Sequence, residues 1–209
     1  MKKIAITQRL ILNESYYELR ETLDVNWGLL FEKLDFLPIV LPLKYNFEEY
    51  FNNIEIDGIL LTGGNDLNSI NQSKESYLRD DFEKKLIEYA IINGIPIFGV
   101  CRGMQIIAEY FGANFVKVDN QVGTRDTLNI DKNSQYYNIL KKLKKVNSYH
   151  NYAIDNLSSD WLVSSQNNEG IIKSIEHKKY KIFGQMWHSE RDQPFNENEL
   201  SLMRFFFND

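Results

Sequence analysis

This sequence predicts an α/β fold with a mostly parallel central sheet, and three observations predict it. Four short apolar runs bounded by turn residues recur in the first half, and longer segments of helical period separate them. After the fourth run and one further helix, the pattern changes to closely spaced short strands, the mark of antiparallel additions to the sheet in the C-terminal half.

The parallel strands are read at Lys3–Thr7, Leu37–Leu41, Gly58–Thr62 and Pro96–Val100, with helices between them at Ser15–Leu34, Phe47–Asn53 and Lys74–Ile92. Gly94 follows the last of these where a left-handed cap is wanted. A helix from Cys101 stops near Gly112. The short strands that follow are Asn114–Val118, Val146–Tyr149, Trp161–Ser165, Ile171–Glu176 and Ile182–Trp187. In the closing helix, Glu197–Phe207, Leu200, Met203 and Phe207 fall on one face. The polar segment Asp119–Gln135 reads as a loop of a length that often carries function.

A chain of 209 residues, 43% hydrophobic and 25% charged, suits one compact domain spanning 1–209, without internal repeats or a low-complexity linker. Net charge of -5 argues against nucleic-acid binding, which needs a concentrated basic face. The one basic run, Lys141-Lys142-Leu143-Lys144-Lys145, reads as a solvated helix end. Met1-Lys2-Lys3 precedes only Ile4-Ala5-Ile6, too short for a signal peptide, and no stretch approaches the ~20 apolar residues of a membrane span. The expectation is a cytoplasmic protein with no membrane partner; its oligomeric state is not legible. A single cysteine excludes an intramolecular disulfide, and three scattered histidines give no metal-ligand spacing, so neither a metal nor a cofactor is expected.

The chemistry concentrates in three places. Pro96-Ile97-Phe98-Gly99-Val100-Cys101-Arg102-Gly103-Met104-Gln105 is an apolar strand running through Gly-x-Cys-x-Gly into a helix, the cysteine form of a nucleophile elbow. The sharp turn strains the nucleophile and needs small neighbours two positions away on either side. It lifts the sulfur to the first turn of a helix, where unpaired N–H groups favour a thiolate. Alone, Gly-x-Cys-x-Gly also occurs by chance, and a lone cysteine is commonly a small buried hydrophobe.

The second place is Met186-Trp187-His188-Ser189-Glu190. If the chain is still extended there, His188 and Glu190 share a face and the carboxylate orients the imidazole, completing nucleophile, base and orienter. By itself His-x-Glu is more commonly a surface pair at a strand end. The third place is Thr62-Gly63-Gly64-Asn65, which closes a buried strand. Backbone N–H groups exposed there, with that of Arg102, would form an oxyanion hole; a plain turn is the bland alternative, and the Lys-Ser/Thr of a phosphate loop is missing. Of the remaining histidines, His150 reads as structural or substrate-contacting and His177, between Glu176 and Lys178, as an exposed loop residue.

Taken in order along the chain, these motifs, with Phe36–Pro42, Val146-Asn147-Ser148-Tyr149-His150 and Glu169–Ile172, resemble the class I glutamine amidotransferase family, and more narrowly its gamma-glutamyl hydrolase (peptidase C26) branch. The resemblance implies a flavodoxin-like three-layer fold, a Cys101–His188–Glu190 triad, and oxyanion donors at Gly64 and Arg102. It further implies that Gly63, Gln105, Ser148, Tyr149 and His150 hold the glutamyl part of a small-molecule gamma-glutamyl amide. Two departures stand out: Ser189 replaces a usual proline, and the stretch from Val118 to Val146 is shorter than in the polyamine-pathway hydrolases, so the leaving-group pocket differs. Within the branch, the short Lys-, Asn- and Ile-rich chain is similar to the gamma-glutamyl amidate hydrolases of capsular phosphoramidate synthesis, which implies a diphosphate-bearing leaving group met by Arg9, Arg125 or Lys173. A glutaminase subunit feeding ammonia to a synthetase, a non-catalytic binding protein of the same fold, and a thiol peptidase are the alternatives.

Overall fold

A computed structural model of the chain describes residues 1–208. In chain order the elements are β1 (Lys2–Ile6), β2 (Arg9–Leu12), β3 (Leu19–Thr22), α1 (Asn26–Leu34), β4 (Phe36–Val40), α2 (Glu48–Asn53), β5 (Gly58–Leu61), α3 (Lys74–Asn93), β6 (Ile97–Val100) and α4 (Arg102–Tyr110). There follow β7 (Phe115–Lys117), β8 (Val122–Asp126), β9 (Asn129–Ile130), α5 (Tyr137–Leu140), β10 (Val146–Tyr149), β11 (Tyr152–Ile154), β12 (Trp161–Gln166), β13 (Ile172–His177), β14 (Ile182–Gln185) and α6 (Glu197–Asn208).

Eight strands form the main sheet in the order β4-β1-β5-β6-β14-β13-β12-β9. From β4 to β14 every neighbouring pair is parallel, and β13, β12 and β9 extend the sheet antiparallel. The strands of the parallel half are buried throughout at β5 and β6, as their unbroken apolar sequences require when both faces are covered. Glycine contacts identify the covering layers. A Cβ at Gly58 would strike the Phe207 ring of α6, while Gly103 of α4 lies against Leu61, three residues along the same strand and therefore on the opposite face. Phe98, Phe183, Phe206 and Phe207 interlock edge-to-face and tilted between β6, β14 and α6.

The predicted parallel strands and the α/β class agree with the structure. Gly94 does cap α3, at φ 68°, with its N–H directed to Ala90 O and Ile91 O, and Leu200, Met203 and Phe207 are buried along α6. The run Lys141–Lys145 is a solvated turn after α5, in which only Leu143 is buried.

Three expectations need correction. The segment 15–34 is not one helix: β2 and β3 pair as an antiparallel hairpin, Arg9 opposite Thr22 and Leu12 opposite Leu19, and helix α1 begins only at Asn26. Asp24 starts it anew by accepting the Asn26 N–H, an Asx turn that a period count does not see. The polar segment 119–135 contains β8, paired with β10, and β9, the sheet's edge. Thus β10 and β7 form separate ribbons with β8 and β11 rather than joining the sheet. His177 ends β13 and is buried at 5% exposure, its ring packed against Phe111, Trp161 and Tyr180; its charged neighbours hid an inward-facing position.

Candidate active site

β6 ends at Val100, α4 starts at Arg102, and Cys101 alone makes the bend, at φ 52° and ψ -107°. A non-glycine residue held there is strained, and the surroundings fix it: its N–H donates to Gln185 O at 2.7 Å, and its C=O accepts from Gln105 N at 3.1 Å. The flanking glycines are sterically required. A Cβ at Gly103 would lie 2.1 Å from Leu61 O, and one at Gly99 would lie 2.6 Å from the Gly103 carbonyl carbon. Cys101 as a whole is 8% exposed, at the sheet's C-terminal edge.

Distant in sequence but adjacent in the sheet, β14 delivers His188 beside it. The chain is not extended at this point. It turns, with the Arg191 N–H donating to His188 O at 3.2 Å, and the turn brings Glu190 Oε1 to 2.6 Å from His188 Nδ1. The serine that replaces proline is tied into this turn, since Gln185 Nε2 donates to Ser189 Oγ at 2.8 Å and to Trp187 O at 3.0 Å. Asn147 clamps the histidine backbone from both sides, donating to His188 O and accepting from its N–H, each at 2.8 Å. Because Nδ1 is engaged by the carboxylate, Nε2, which has no partner among the described residues, is the nitrogen free to exchange a proton.

The two groups favour each other's charged forms. Burial by itself pushes the Cys101 thiol up, but the charge of the adjacent His188 outweighs it and Arg191 adds to the effect, so the thiol lies below its ordinary value. Burial pulls the His188 imidazole down, and the facing Cys101 sulfur and then Glu190 reverse this, taking it up to about 9. Gly63 keeps the two in reach: a Cβ there would lie 2.7 Å from His188 Cε1 and 3.5 Å from Cys101 Cβ.

Behind the Gly-Gly turn lies a buried charge network. Arg79, on α3, donates to the carbonyls of Thr62, Gly63 and Gly64 at 2.8, 2.9 and 3.2 Å. In a trans peptide the N–H points opposite to the C=O, so drawing Gly63 O inward turns the Gly64 N–H outward. Arg102, at the first position of α4, has a backbone N–H with no intrahelical acceptor. Its guanidinium is held by Glu83 and Asp80, and Glu83 Oε1 also accepts from Arg79 Nε at 3.0 Å. Two guanidiniums and two carboxylates therefore anchor both predicted oxyanion donors from below.

Two cavities of about 250 and 260 Å³ meet at Gly64. The first holds Cys101, Arg102 and Gln105 and is walled by Tyr149, His150 and Tyr152. The second lies on the His188 side, with Gly63 and Glu190. Thus Gly63, Gln105, Tyr149 and His150 line one or other cavity. Ser148 does not: it is fully buried and accepts a hydrogen bond from Lys173 Nζ at 3.0 Å while donating to Gln121 at 3.1 Å. Of the basic groups proposed to meet a diphosphate, Lys173 is 1% exposed and paired with Asp126 at 2.6 Å, and Arg125 is held by Asp192 at 2.7 and 3.0 Å. Only Arg9 opens onto a cavity. Sequence reasoning missed Arg191, which lines the second cavity 4.6 Å above the Tyr149 ring, although it directly follows Glu190. It also gave no role to Asn147, one residue ahead of the Ser148-Tyr149-His150 segment. Among the described residues, no group of three or more His, Cys, Asp or Glu side chains could hold a metal ion, and no helix is long and apolar enough to cross a membrane.

Comparison with known proteins places the chain in a family. The peptidase C26 family model matches residues 26–190. The gamma-glutamyl-CDP-amidate hydrolase of Campylobacter jejuni is 37% identical over 200 residues, which cover 94% of each chain. A glutamine-hydrolyzing GMP synthase component of Methanosphaera stadtmanae is 26% identical over 151 residues, covering 72% of this chain and 74% of that one. Among solved structures, a Thermoplasma acidophilum protein described as a GMP synthase component superposes with TM-score 0.74 at 20% identity, covering 99% of this chain and 92% of its own, and so shares the fold.

Proposed function

The chain belongs to the peptidase C26 family, and on that premise we propose that it hydrolyses a gamma-glutamyl amide of a small molecule to release glutamate through a glutamyl thioester on Cys101. The observation that carries this reading is the strained Cys101 facing a histidine whose far nitrogen is 2.6 Å from a carboxylate.

The thiolate of Cys101 attacks the gamma carbonyl, and the N–H groups of Gly64 and Arg102 receive the oxyanion, each donor worth about 10²-fold or more in rate. Collapse breaks the C–N bond. The electron pair goes to the departing nitrogen, which takes the proton from His188 Nε2, and the C–S bond of the thioester remains. A water then loses a proton to the now neutral His188 and attacks the same carbon; the C–S bond breaks, and thiolate, imidazolium and glutamate are restored. Glu190 holds the ring and stabilises its charged form throughout.

Similarity to the Campylobacter jejuni hydrolase supports gamma-glutamyl-CDP-amidate as the substrate, a glutamyl amide whose nitrogen carries a cytidine diphosphate. The kinship with a GMP synthase component keeps ammonia delivery from glutamine as the competing activity. Glutamate release should be measured on gamma-glutamyl-CDP-amidate, a gamma-glutamyl anilide and glutamine, with wild type and Cys101→Ala. Turnover of the N-substituted amides that vanishes in the folded alanine variant is expected. Substantial hydrolysis by that variant, or turnover of glutamine alone, would overturn the proposal.

A further inference from the structure

The two cavities that meet at Gly64 divide the reacting bond between them. The glutamyl carbonyl must sit at Cys101, and the leaving nitrogen must face His188, so the leaving group extends into the second cavity. That cavity is walled by Arg9, Ile11, Thr22, Leu23, Asp24 and Trp27. Five of these six precede residue 26, where the family match begins, whereas every residue lining the cysteine-side cavity falls within residues 26–190. The acyl side of the site is thus made of chain within the family match, and most of this leaving-group wall of chain ahead of it, on and just after the β2–β3 hairpin.

Its polar groups point to one ligand chemistry. The Arg9 guanidinium makes no hydrogen bond or ion pair with any described residue, and its stem packs over Gly64 at 3.0–3.3 Å from where a Cβ would stand. Thr22 Oγ1 is buried in the same wall without a hydrogen-bond partner. Arg191 adds a second guanidinium, half-exposed and stacked on Tyr149. Of the two carboxylates, Glu190 is committed to His188 and Asp24 accepts the Asn26 N–H at the start of α1. Two fork-shaped cations with spare donors match phosphate oxygens, and they repel an amine-bearing leaving group.

We propose that the cavity bounded by the β2–β3 hairpin is the leaving-group subsite, and that Arg9 with Arg191 selects a phosphorylated, diphosphate-type leaving group. This rests on the gamma-glutamyl hydrolase reading and adds the place and the residues of its selectivity. Arg9 is exposed on a hairpin, so replacing it leaves the core intact.

The experiment compares wild type, Arg9→Ala and Arg9→Glu on two substrates, gamma-glutamyl-CDP-amidate and a gamma-glutamyl anilide without phosphate, and titrates each protein with CDP by calorimetry. The ratio of kcat/KM for the diphosphate substrate to that for the anilide should fall about tenfold or more in Arg9→Ala and further in Arg9→Glu, mainly through KM. CDP affinity should fall in the same order and weaken with salt. An unchanged ratio, including equal loss on both substrates, overturns the proposal, as does CDP affinity indifferent to Arg9. If wild type cleaves neither substrate, it is the hydrolase reading that has failed; the CDP titration, which needs no turnover, still decides the subsite.

Discussion

The buried ammonium of Lys173 lies 2.9 Å from Nε2 of His150, while Nδ1 of the same ring donates to Tyr152 O at 3.1 Å. A carbonyl can only accept, so Nδ1 carries the proton and Nε2 accepts from the lysine; both nitrogens are spent, and the ring is a fixed neutral wall of the cysteine-side cavity. Burial, reinforced by the lysine charge, holds the His150 imidazole down at about 4. NMR titration should show His150 neutral from pH 8 to near 4; a midpoint near 6.5 would refute the arrangement. A depressed histidine contributes stability that is present above its unfolded value near 6.5 and is lost as pH falls toward 4. Lys173→Met leaves Asp126 without its cation and should cost about 3–5 kcal/mol in denaturant unfolding.

Gly63 and Gly103 should separate catalysis from folding. A Cβ at position 63 meets the edge of the His188 ring at 2.7 Å, and that ring is already fixed by Glu190, so Gly63→Ala displaces the proton donor. We expect kcat to fall about 10²-fold or more with stability nearly kept. A Cβ at position 103 meets backbone, Leu61 O at 2.1 Å, so α4 must leave the sheet. Gly103→Ala should cost about 3 kcal/mol or more. Thermal unfolding beside steady-state kinetics distinguishes them, and equal behaviour of the two variants would contradict the packing.

Why the elbow was legible and its support was not follows from range. Gly99, Cys101 and Gly103 act on one another within five residues, so spacing carries their geometry; His188 and Glu190 lie within three, so spacing carries their pairing, though a turn rather than an extended strand makes it. The anchoring network draws Arg79 and Glu83 from one helix to Arg102 and Thr7, up to 76 residues away, a range over which spacing carries no signal. The β2–β3 hairpin is missed, β2 unassigned and β3 absorbed into the Ser15–Leu34 helix, because its four-residue strands are too short to assert a period of two, and Ile11 and Leu12 are exposed on it. Lys173 sits in a strand where a lysine suggests an outward face, and its four polar neighbours come from two distant stretches, 121–126 and 148–150.

That network makes a further test. Glu83 is fully buried between two arginines and also accepts from Thr7 Oγ1 at 2.7 Å. Removing it leaves Arg79 with carbonyl acceptors but no carboxylate and Arg102 with Asp80 alone, so Glu83→Ala should destabilise by about 3–5 kcal/mol. Because Arg79 and Arg102 also hold the Gly64 turn and the start of α4, kcat should drop even at temperatures where the variant is folded. Urea unfolding and kinetics well below Tm check both halves.

The pH profile follows from the thiolate–imidazolium pair. Its acid limb reports protonation of the pair's thiolate, below the usual thiol range, and its alkaline limb the loss of the His188 proton near 9. These limbs belong to the coupled pair rather than to single residues. Glu190→Gln removes the negative charge that favours the imidazolium, so the alkaline limb should move to lower pH and kcat/KM fall about 10²-fold or more. An unmoved limb would place the second proton on another group.

Glu199 faces the triad from α6 with both carboxylate oxygens buried and without a hydrogen-bond partner. Burial raises its carboxyl to about 7 from 4.5, against the opposing pull of Ser189, and the nearby Asp192 and Glu190 add to the rise. The folded state therefore binds a proton that the unfolded chain has released between about pH 4.5 and 7, and this group's contribution, full below 4.5, is lost as pH rises through 7. At 1.36 kcal/mol per unit the loss is on the order of 3 kcal/mol. Glu199→Gln keeps the neutral shape without the charge, so its stability relative to wild type should improve by roughly that amount between pH 5 and pH 8. Urea unfolding of both proteins at the two pH values measures it, and a difference independent of pH would mean that Glu199 is not protonated in the fold.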